Sequence, residues 1–170
     1  YVNPDWIAAD LLAQAEHDMF AQSILISNNY NFIKAVNKSL IKQLAVLPKK
    51  KIAQKSLKNY GLAIFGNSNK KIIETINFIA PEHLELCMKS NNQIIKKIKN
   101  AGSIFIGQFA PEAVGDYIAG PNHVLPTSGA AKFSSGLSVN DFIKRQSLIK
   151  ITKTGIERLG PSVINLAQHE

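Results

Sequence analysis

A glutamine and a histidine near the start of the chain are the first side chains that could bind a metal ion. Gln14 and His17 are three positions apart in a stretch whose apolar spacing predicts a helix over residues 6–20, so both should project from one face. A neutral imidazole suits Zn²⁺, and an amide oxygen is an unusual but feasible ligand. Two ligands make at most half of a tetrahedral site, so the spacing alone favours a polar helix end over a metal site.

An adjacent acid and base form the second candidate pair. Glu82 and His83 come directly after Pro81, between a predicted helix and a predicted strand, where catalytic groups of α/β enzymes are often found. Histidine titrates near neutrality and a carboxylate can act as a second base, so the pair could remove protons in two successive steps. Adjacent strand residues point to opposite faces, so both serve one site only if the Pro81 turn bends the backbone. A surface ion pair or a cap is the alternative.

The third candidate segment, residues 115–123, reads Gly-Asp-Tyr-Ile-Ala-Gly-Pro-Asn-His. Its glycines allow the backbone to approach a ligand closely, and Asp116 is a natural third metal ligand. His123 ends the segment. Capping by Asp116 and a loop hydrogen bond by His123 are common alternatives, each more frequent than metal ligation. The joint occurrence of these groups favours a site without deciding the matter.

The elements that must position these side chains alternate between strands and helices. Such alternation predicts an α/β fold with a mostly parallel sheet, flanking helices and a C-terminal helical tail. Apolar runs of strand length fall at residues 23–27, 61–65, 83–87, 103–106 and 147–151, and helical periodicity falls at 6–20, 32–48, 72–79, 94–98 and 155–167.

Three local features complete this prediction. Asp5 follows Pro4 and is the predicted N-cap of the first helix. The lysines at 49–51 predict a solvated turn. Residues 107–136 contain five glycines and three prolines and lose the periodicity, which predicts a long irregular segment of the kind that often carries function.

Composition narrows the class of protein. The chain has 170 residues, 45% of them hydrophobic and 19% charged, which is enough for one ordinary core. No apolar run approaches the roughly 20 residues of a membrane-spanning helix. The net charge is +8, but only Arg145 and Arg158 are arginines and the lysines are scattered, so nucleic-acid binding is disfavoured. A single cysteine, Cys87, favours a reducing cytoplasm.

Three strings of the sequence closely resemble the histidinol dehydrogenase family. They are Asp-Leu-Leu-Ala-Gln-Ala-Glu-His-Asp at residues 10–18, Ala-Pro-Glu-His-Leu at 80–84, and Gly-Asp-Tyr-Ile-Ala-Gly-Pro-Asn-His-Val-Leu-Pro-Thr at 115–127. Their order makes the match specific, and the resemblance covers essentially the whole chain. It implies part of a zinc- and NAD-dependent enzyme that oxidises L-histidinol, through L-histidinal, to L-histidine.

The resemblance also implies residue roles. Gln14, His17 and Asp116 would bind both zinc and the substrate. Glu82 and His83 would be the acid/base pair, with His83 also contacting the substrate. No Gly-rich dinucleotide loop follows a predicted strand, and in the family the NAD contacts come from another Rossmann-like domain, expected before Tyr1.

Two further expectations concern a site shared between chains. His123 would line the substrate pocket, and Glu170 matches a glutamate of a C-terminal motif that reaches the partner's substrate in an intertwined homodimer. The family's remaining zinc ligand is a histidine after that glutamate, so we expect it beyond residue 170 and do not assign His169 to the metal.

The expected organisation follows from the same resemblance. Residues 1–129 would be a Rossmann-like zinc and substrate domain, 130–146 a connecting segment, and 147–170 the start of a dimerisation tail. We expect the piece alone to be inactive as a dehydrogenase. Two alternatives from other classes are a zinc hydrolase that uses the same three ligands to activate water, and a non-catalytic binding or assembly module.

Overall fold

The computed structural model describes residues 2–88 and 92–169, which divide into two compact units at Leu137 and Ser138. In the first unit the elements are α1 (Pro4–Ala15), β1 (Ile24–Ser27), α2 (Tyr30–Val46), α3 (Lys50–Tyr60), β2 (Leu62–Phe65), α4 (Asn69–Ile79), β3 (His83–Leu86), α5 (Asn92–Ile95), β4 (Ser103–Ile106), α6 (Glu112–Tyr117) and a 3₁₀ turn (Ala130–Lys132). The second unit contains a 3₁₀ turn (Val139–Phe142) and α7 (Lys153–Ala167).

The strands pair in parallel. β1 pairs with β2, with Ile24 opposite Leu62, and β3 pairs with β4, with His83 opposite Ser103. Among the described residues these pairings make two separate two-stranded ladders. A helical crossover joins the two strands of each pair, as parallel pairing requires. The predicted α/β class with parallel strands and flanking helices is therefore confirmed.

The core of the first unit lies under α1. Ala8, Leu12 and Ala15 recur every three to four residues and are buried, so they form one face of the helix. This face packs against Ala53 of α3, with partly buried leucines around it: Leu40, Leu44, Leu47 and Leu57. The packing fixes α1, which carries Gln14 in its last turn, against the rest of the unit.

Two predictions about α1 are wrong in detail. Its N-cap is Asn3, whose side chain accepts a hydrogen bond from the Asp5 backbone N–H at 2.9 Å, with Pro4 in the first helical position. The Asp5 carboxylate instead accepts a hydrogen bond from the Ser39 hydroxyl of α2. The helix also ends at Ala15, so His17 lies in the following turn and not on the helix.

Three other segments differ from the prediction. Lys49 lies in a turn as predicted, but Lys50 and Lys51 form the first residues of α3, whose buried residues Ala53 and Ser56 make only a narrow face among many lysines. Residues 147–151 form no strand, since nothing in the described chain pairs with their backbone. The irregular segment 107–136 contains α6, whose periodicity Gly115 interrupts.

The predicted helix of the second unit is confirmed as α7. Thr152 caps it by accepting a hydrogen bond from the Gly155 N–H at 3.1 Å. No residue of α7 is buried, so its apolar side chains face solvent in the single chain. Within residues 2–88 and 92–169, no helix combines the length and the apolar character needed to cross a membrane.

Candidate functional site

The turn between α4 and β3 places the adjacent acid and base. Ala80 ends α4 in the left-handed conformation, with φ 51° and ψ 63°, which costs an L-residue roughly 1–2 kcal/mol. Ala80 is buried, and its N–H donates to the Ile76 carbonyl at 2.9 Å, so packing holds this conformation. Pro81 follows, and His83 is then the first residue of β3.

The β4 backbone supports the same turn. The Ser103 N–H donates to the Glu82 carbonyl at 2.8 Å, and the Gly102 N–H donates to the Pro81 carbonyl at 2.9 Å. A Cβ atom on Gly102 would lie 2.6 Å from the Glu82 carbonyl oxygen, so only glycine permits this close approach. The β4 backbone therefore holds the backbone of Pro81 and Glu82 in place.

Two imidazole rings meet at this turn. The Nε2 atoms of His83 and His123 are 3.2 Å apart, and the rings stack with centroids 4.9 Å apart and planes 17° apart. Burial lowers the pKa of His83 below its usual value, and the nearby His123 lowers it further, while Asp116 acts in the opposite direction. At neutral pH His83 is consequently uncharged and can accept a proton.

Two carboxylates of α6 face the imidazoles. Glu112 and Asp116 are four residues apart, so they share a helix face. Asp116 Oδ1 lies 2.7 Å from His123 Nε2, and Glu112 Oε1 lies 3.7 Å from His83 Nε2. Each of the four side chains offers one ligand atom, and these atoms all lie within 4.8 Å of one another. We call these four residues the His–carboxylate cluster.

One carboxylate oxygen of the His–carboxylate cluster is buried without a regular hydrogen bond to the described residues. Asp116 Oδ1 is buried and makes no hydrogen bond of regular geometry among the described residues, and its 2.7 Å approach to His123 Nε2 is an ion-pair contact. An orphaned buried carboxylate oxygen is costly in a folded protein. Imidazole nitrogens and carboxylate oxygens are ligands that Zn²⁺ accepts. The donor set therefore fits a divalent cation.

Glu82 belongs to the same electrostatic neighbourhood. Burial raises the pKa of Glu82, the charges of His123 and His17 lower it, and the charge of Asp116 raises it. His123 and Asp116 also act on His83. The Pro81 turn thus brings the acid and the base, which are adjacent in sequence, to one region.

The first predicted pair lies at the edge of this region. Gln14 is half-buried in the last turn of α1, and His17 is exposed, with its N–H donating to the Gln14 carbonyl at 3.3 Å. His17 is outside the His–carboxylate cluster, although its charge reaches Glu82. The predicted glutamate at position 170 lies outside the described residues.

Sequence reasoning missed three acidic residues near the site. Burial and the charge of Asp10 raise the pKa of Glu85 to about 7, and burial together with Asp116 raises the pKa of Glu112 to about 7. Burial also raises the pKa of Asp10 on α1. Their spacing in the sequence is the signal that could have found them. Each lies two or four residues from a predicted site residue on the same helix or strand, so the two side chains share a face.

The helix that carries Asp116 lies directly on β4. A Cβ atom on Gly115 would lie 2.5 Å from Phe105 Cε1, and the Phe105 ring lies 6.0 Å from the His83 ring. The glycine expected to let the backbone approach a ligand instead lets α6 approach an aromatic ring. This contact sets the distance between α6 and His83.

The whole chain matches one known family. A family model described as histidinol dehydrogenase covers residues 1–170. The chain belongs to the histidinol dehydrogenase family. The resemblance seen in the three sequence strings is thereby confirmed.

Individual histidinol dehydrogenases match along the full chain. The protein of Pelagibacter ubique is 55% identical over 170 residues, which is 100% of this chain and 40% of that protein. The Brucella abortus protein is 49% identical over 168 residues, which is 99% of this chain and 39% of that protein. The crystal structure of the enzyme from Elizabethkingia anophelis is similar with a TM-score of 0.86 and 40% identity, covering 99% of this chain and 39% of that one. The chain therefore spans about 40% of the length of these histidinol dehydrogenases.

Proposed function

We propose that this chain carries the acid/base and metal-binding side chains of a histidinol dehydrogenase, which oxidises L-histidinol to L-histidine in two NAD-dependent steps. The family match supports this proposal. The observation that carries it is the convergence of His83, His123 and the orphaned Asp116 oxygen at the Pro81 turn. Family membership also favours a dehydrogenase over a zinc hydrolase or a binding module.

The proposed zinc ligands are Gln14, His17 and Asp116. Zinc, when bound, would supply a Lewis acid that fixes the orientation of the imidazole-bearing amino alcohol. Asp116 is the residue that this set shares with the His–carboxylate cluster, so the two sets can be separated by mutation. Removal of His17 should release zinc, whereas removal of His123 should weaken substrate binding and leave zinc in place. If instead the His123 substitution releases zinc and the His17 substitution does not, the His–carboxylate cluster is the metal site.

His83 is the proposed base for the first step. It would accept the hydroxyl proton of L-histidinol while the carbinol carbon loses a hydride, leaving the aldehyde. NAD⁺, when bound, accepts that hydride in each of the two steps. No NAD contact is assigned to this chain. The lowered pKa of His83 supports the role, because an uncharged imidazole is needed to take the proton.

Glu82 is the proposed base for the second step. It would take a proton from the water that adds to the aldehyde carbon, so that the resulting hydrate can lose its own hydride and become the carboxylate. Glu82 interacts electrostatically with His123 and Asp116, as expected for a residue of the same site. His123 would then line the substrate pocket beside His83.

We also include in the proposal a cytoplasmic homodimer. The second unit supports a partner, because its large apolar side chains are exposed in the single chain. They include Leu148, Ile149, Val163, Ile164 and Leu166. In the proposed dimer, Glu170 would act on the partner's substrate. The molecular mass of the full-length enzyme in solution, measured by light scattering, tests the assembly.

The proposed function is tested on the full-length enzyme that contains this chain. NADH formation from L-histidinol should be seen, should stop with a zinc chelator, and should return when zinc is added. Two equivalents of NADH should form for each L-histidinol consumed. A folded, zinc-loaded enzyme that forms no NADH would contradict the dehydrogenase, and substrate hydrolysis without NAD would favour the hydrolase.

A further inference from the structure

Glu85 is a half-buried carboxylate that the proposed reaction does not use. It lies two residues after His83 on β3, so both side chains project from the same face of the strand. Phe105 is opposite Glu85 in the register with β4. An acidic residue on a partly buried strand face is costly unless its oxygens are hydrogen-bonded. The partners of Glu85 therefore indicate what it does.

One partner is the backbone of α6. Glu85 Oε1 accepts a hydrogen bond from the Glu112 N–H at 3.0 Å, at the first residue of that helix. The first N–H groups of a helix have no partner within the helix, and the N-cap residue of α6, Pro111, provides no side-chain hydrogen bond. The Glu85 side chain on β3 therefore caps the start of α6, which the N-cap residue Pro111 does not do.

This hydrogen bond matters because α6 is short. With six residues, α6 depends on tertiary contacts for its stability. Its attachments to the β3–β4 pair include the Glu85 hydrogen bond at its start, the approach of Glu112 Oε1 to His83 Nε2 at 3.7 Å, and the close fit of Gly115 on Phe105 one turn later. Asp116 follows directly, so the position of its carboxylate depends on these attachments.

A second carboxyl group, Asp10 of α1, influences Glu85 through its charge. Burial raises the pKa of Glu85 and the charge of Asp10 raises it further, and Asp10 lies four residues before Gln14 on the same helix face. Glu85 thus belongs to the strand that begins with His83 and caps the helix that carries Asp116.

We propose that Glu85 is a positioning residue that fixes α6 against β3, and that it thereby sets the distances between Asp116 and the acid/base side chains at the start of β3. It touches neither substrate nor metal in this role. The inference rests on the proposed function for its effect on turnover, but its effect on α6 is a property of the fold alone.

Three substitutions of Glu85 in the full-length enzyme distinguish the effect of its side-chain length and hydrogen bond from the effect of its charge. Glu85→Gln keeps the length and an oxygen that can accept the Glu112 N–H. Glu85→Asp keeps the charge but shortens the side chain by one methylene, and Glu85→Leu removes the acceptor. Glu74→Gln on the exposed face of α4 is the matched control.

The decisive measurement is amide hydrogen exchange of residues 112–118, followed by mass spectrometry. Glu85→Asp and Glu85→Leu should speed exchange there at least tenfold, and Glu85→Gln and the control should not. The same two variants should bind zinc about 10- to 100-fold more weakly in a chelator competition, which is the usual effect of losing a residue that orients metal ligands. Turnover should fall in parallel.

Two outcomes would overturn the proposal. The first is unchanged exchange of residues 112–118 in Glu85→Asp, a variant that keeps the charge and is expected to fold even if Glu85→Leu does not. The second is a Glu85→Gln variant whose amide exchange and zinc affinity are changed as much as those of Glu85→Leu. This result would show that the charge of Glu85 matters, and not its hydrogen bond to α6. An enzyme without dehydrogenase activity would contradict the proposed function, while the exchange measurement would still decide the role of Glu85.

Discussion

Asp116 Oδ1 lies 2.7 Å from His123 Nε2, yet it is buried and has no hydrogen-bond partner among the described residues. A second imidazole, that of His83, lies 3.2 Å from the same His123 nitrogen. Asp116 is also the residue that this group shares with the proposed zinc ligands Gln14 and His17, so it is the first residue to test.

Replacement of Asp116 by Asn should remove most of the bound zinc. The carboxylate charge is the strongest attraction that this residue offers a divalent cation, and an amide oxygen provides only a dipole. We expect zinc affinity to fall at least about 100-fold, as measured by competition with a fluorescent chelator. Glu74→Gln makes the same chemical change on the exposed surface of α4 and should leave affinity unaltered. Unchanged zinc affinity in Asp116→Asn would contradict a role of the Asp116 charge in zinc binding.

Replacement of His83 by Asn should lower kcat sharply in the full-length enzyme. Loss of a general base typically lowers the rate by about 100- to 10,000-fold. The same change at His169, whose ring contacts the Asn165 carbonyl on α7, is the matched control and should alter kcat by less than the His83 substitution. Steady-state NADH formation measures both. Unchanged turnover in His83→Asn would refute its assignment as the base.

Replacement of Gly115 by Ala should destabilise the protein and reduce activity together. The new Cβ would lie 2.5 Å from Phe105 Cε1, and an overpacked contact of this kind costs about 1–3 kcal/mol. Glu74→Ala on the exposed face of α4 is the control, because it introduces alanine in a helix without adding atoms to a packed contact. Thermal unfolding measures both variants.

The reason for the Gly115 effect can be checked by a second substitution. Phe105→Leu provides space at the point of overlap, so the double variant should recover part of the stability that Gly115→Ala loses. Additive losses in the double variant would show that the clash with Phe105 is not the cause.

The thiol of Cys87 should react slowly with alkylating reagents at neutral pH. Burial raises its pKa to about 11, and the charges of Glu85 and Asp10 act in the same direction, so the folded protein holds the proton more tightly than an exposed thiol does. The reactive thiolate is therefore scarce below that pH. The iodoacetamide rate should keep rising between pH 9 and about 11 in the folded protein, whereas in the denatured chain it should level off near the ordinary thiol pKa of about 8.5. A plateau near pH 9 in the folded state would contradict the raised pKa.

Local chemistry made part of the fold and site predictable. The strands at residues 83–87 and 103–106 were predicted from short apolar runs bounded by turn residues, and both are present with one residue or less of difference. Glu82 and His83 were singled out because an acid and a base follow a proline, and Asp116 because a lone acid lies between glycines. Residue type and near-neighbour spacing carry this information.

The sequence by itself determined the α/β class, the parallel strands, the family and the identity of the side chains that can do chemistry. Tertiary structure alone decided that α6 exists, that Gly115 faces Phe105, and that Glu85 caps a helix 27 residues further along. It also decided that His17 lies past the end of its helix and that residues 147–151 find no strand partner. The physical reason is that helix length, burial and pKa depend on which distant residues come into contact, and pairwise spacing along one chain does not contain those distances.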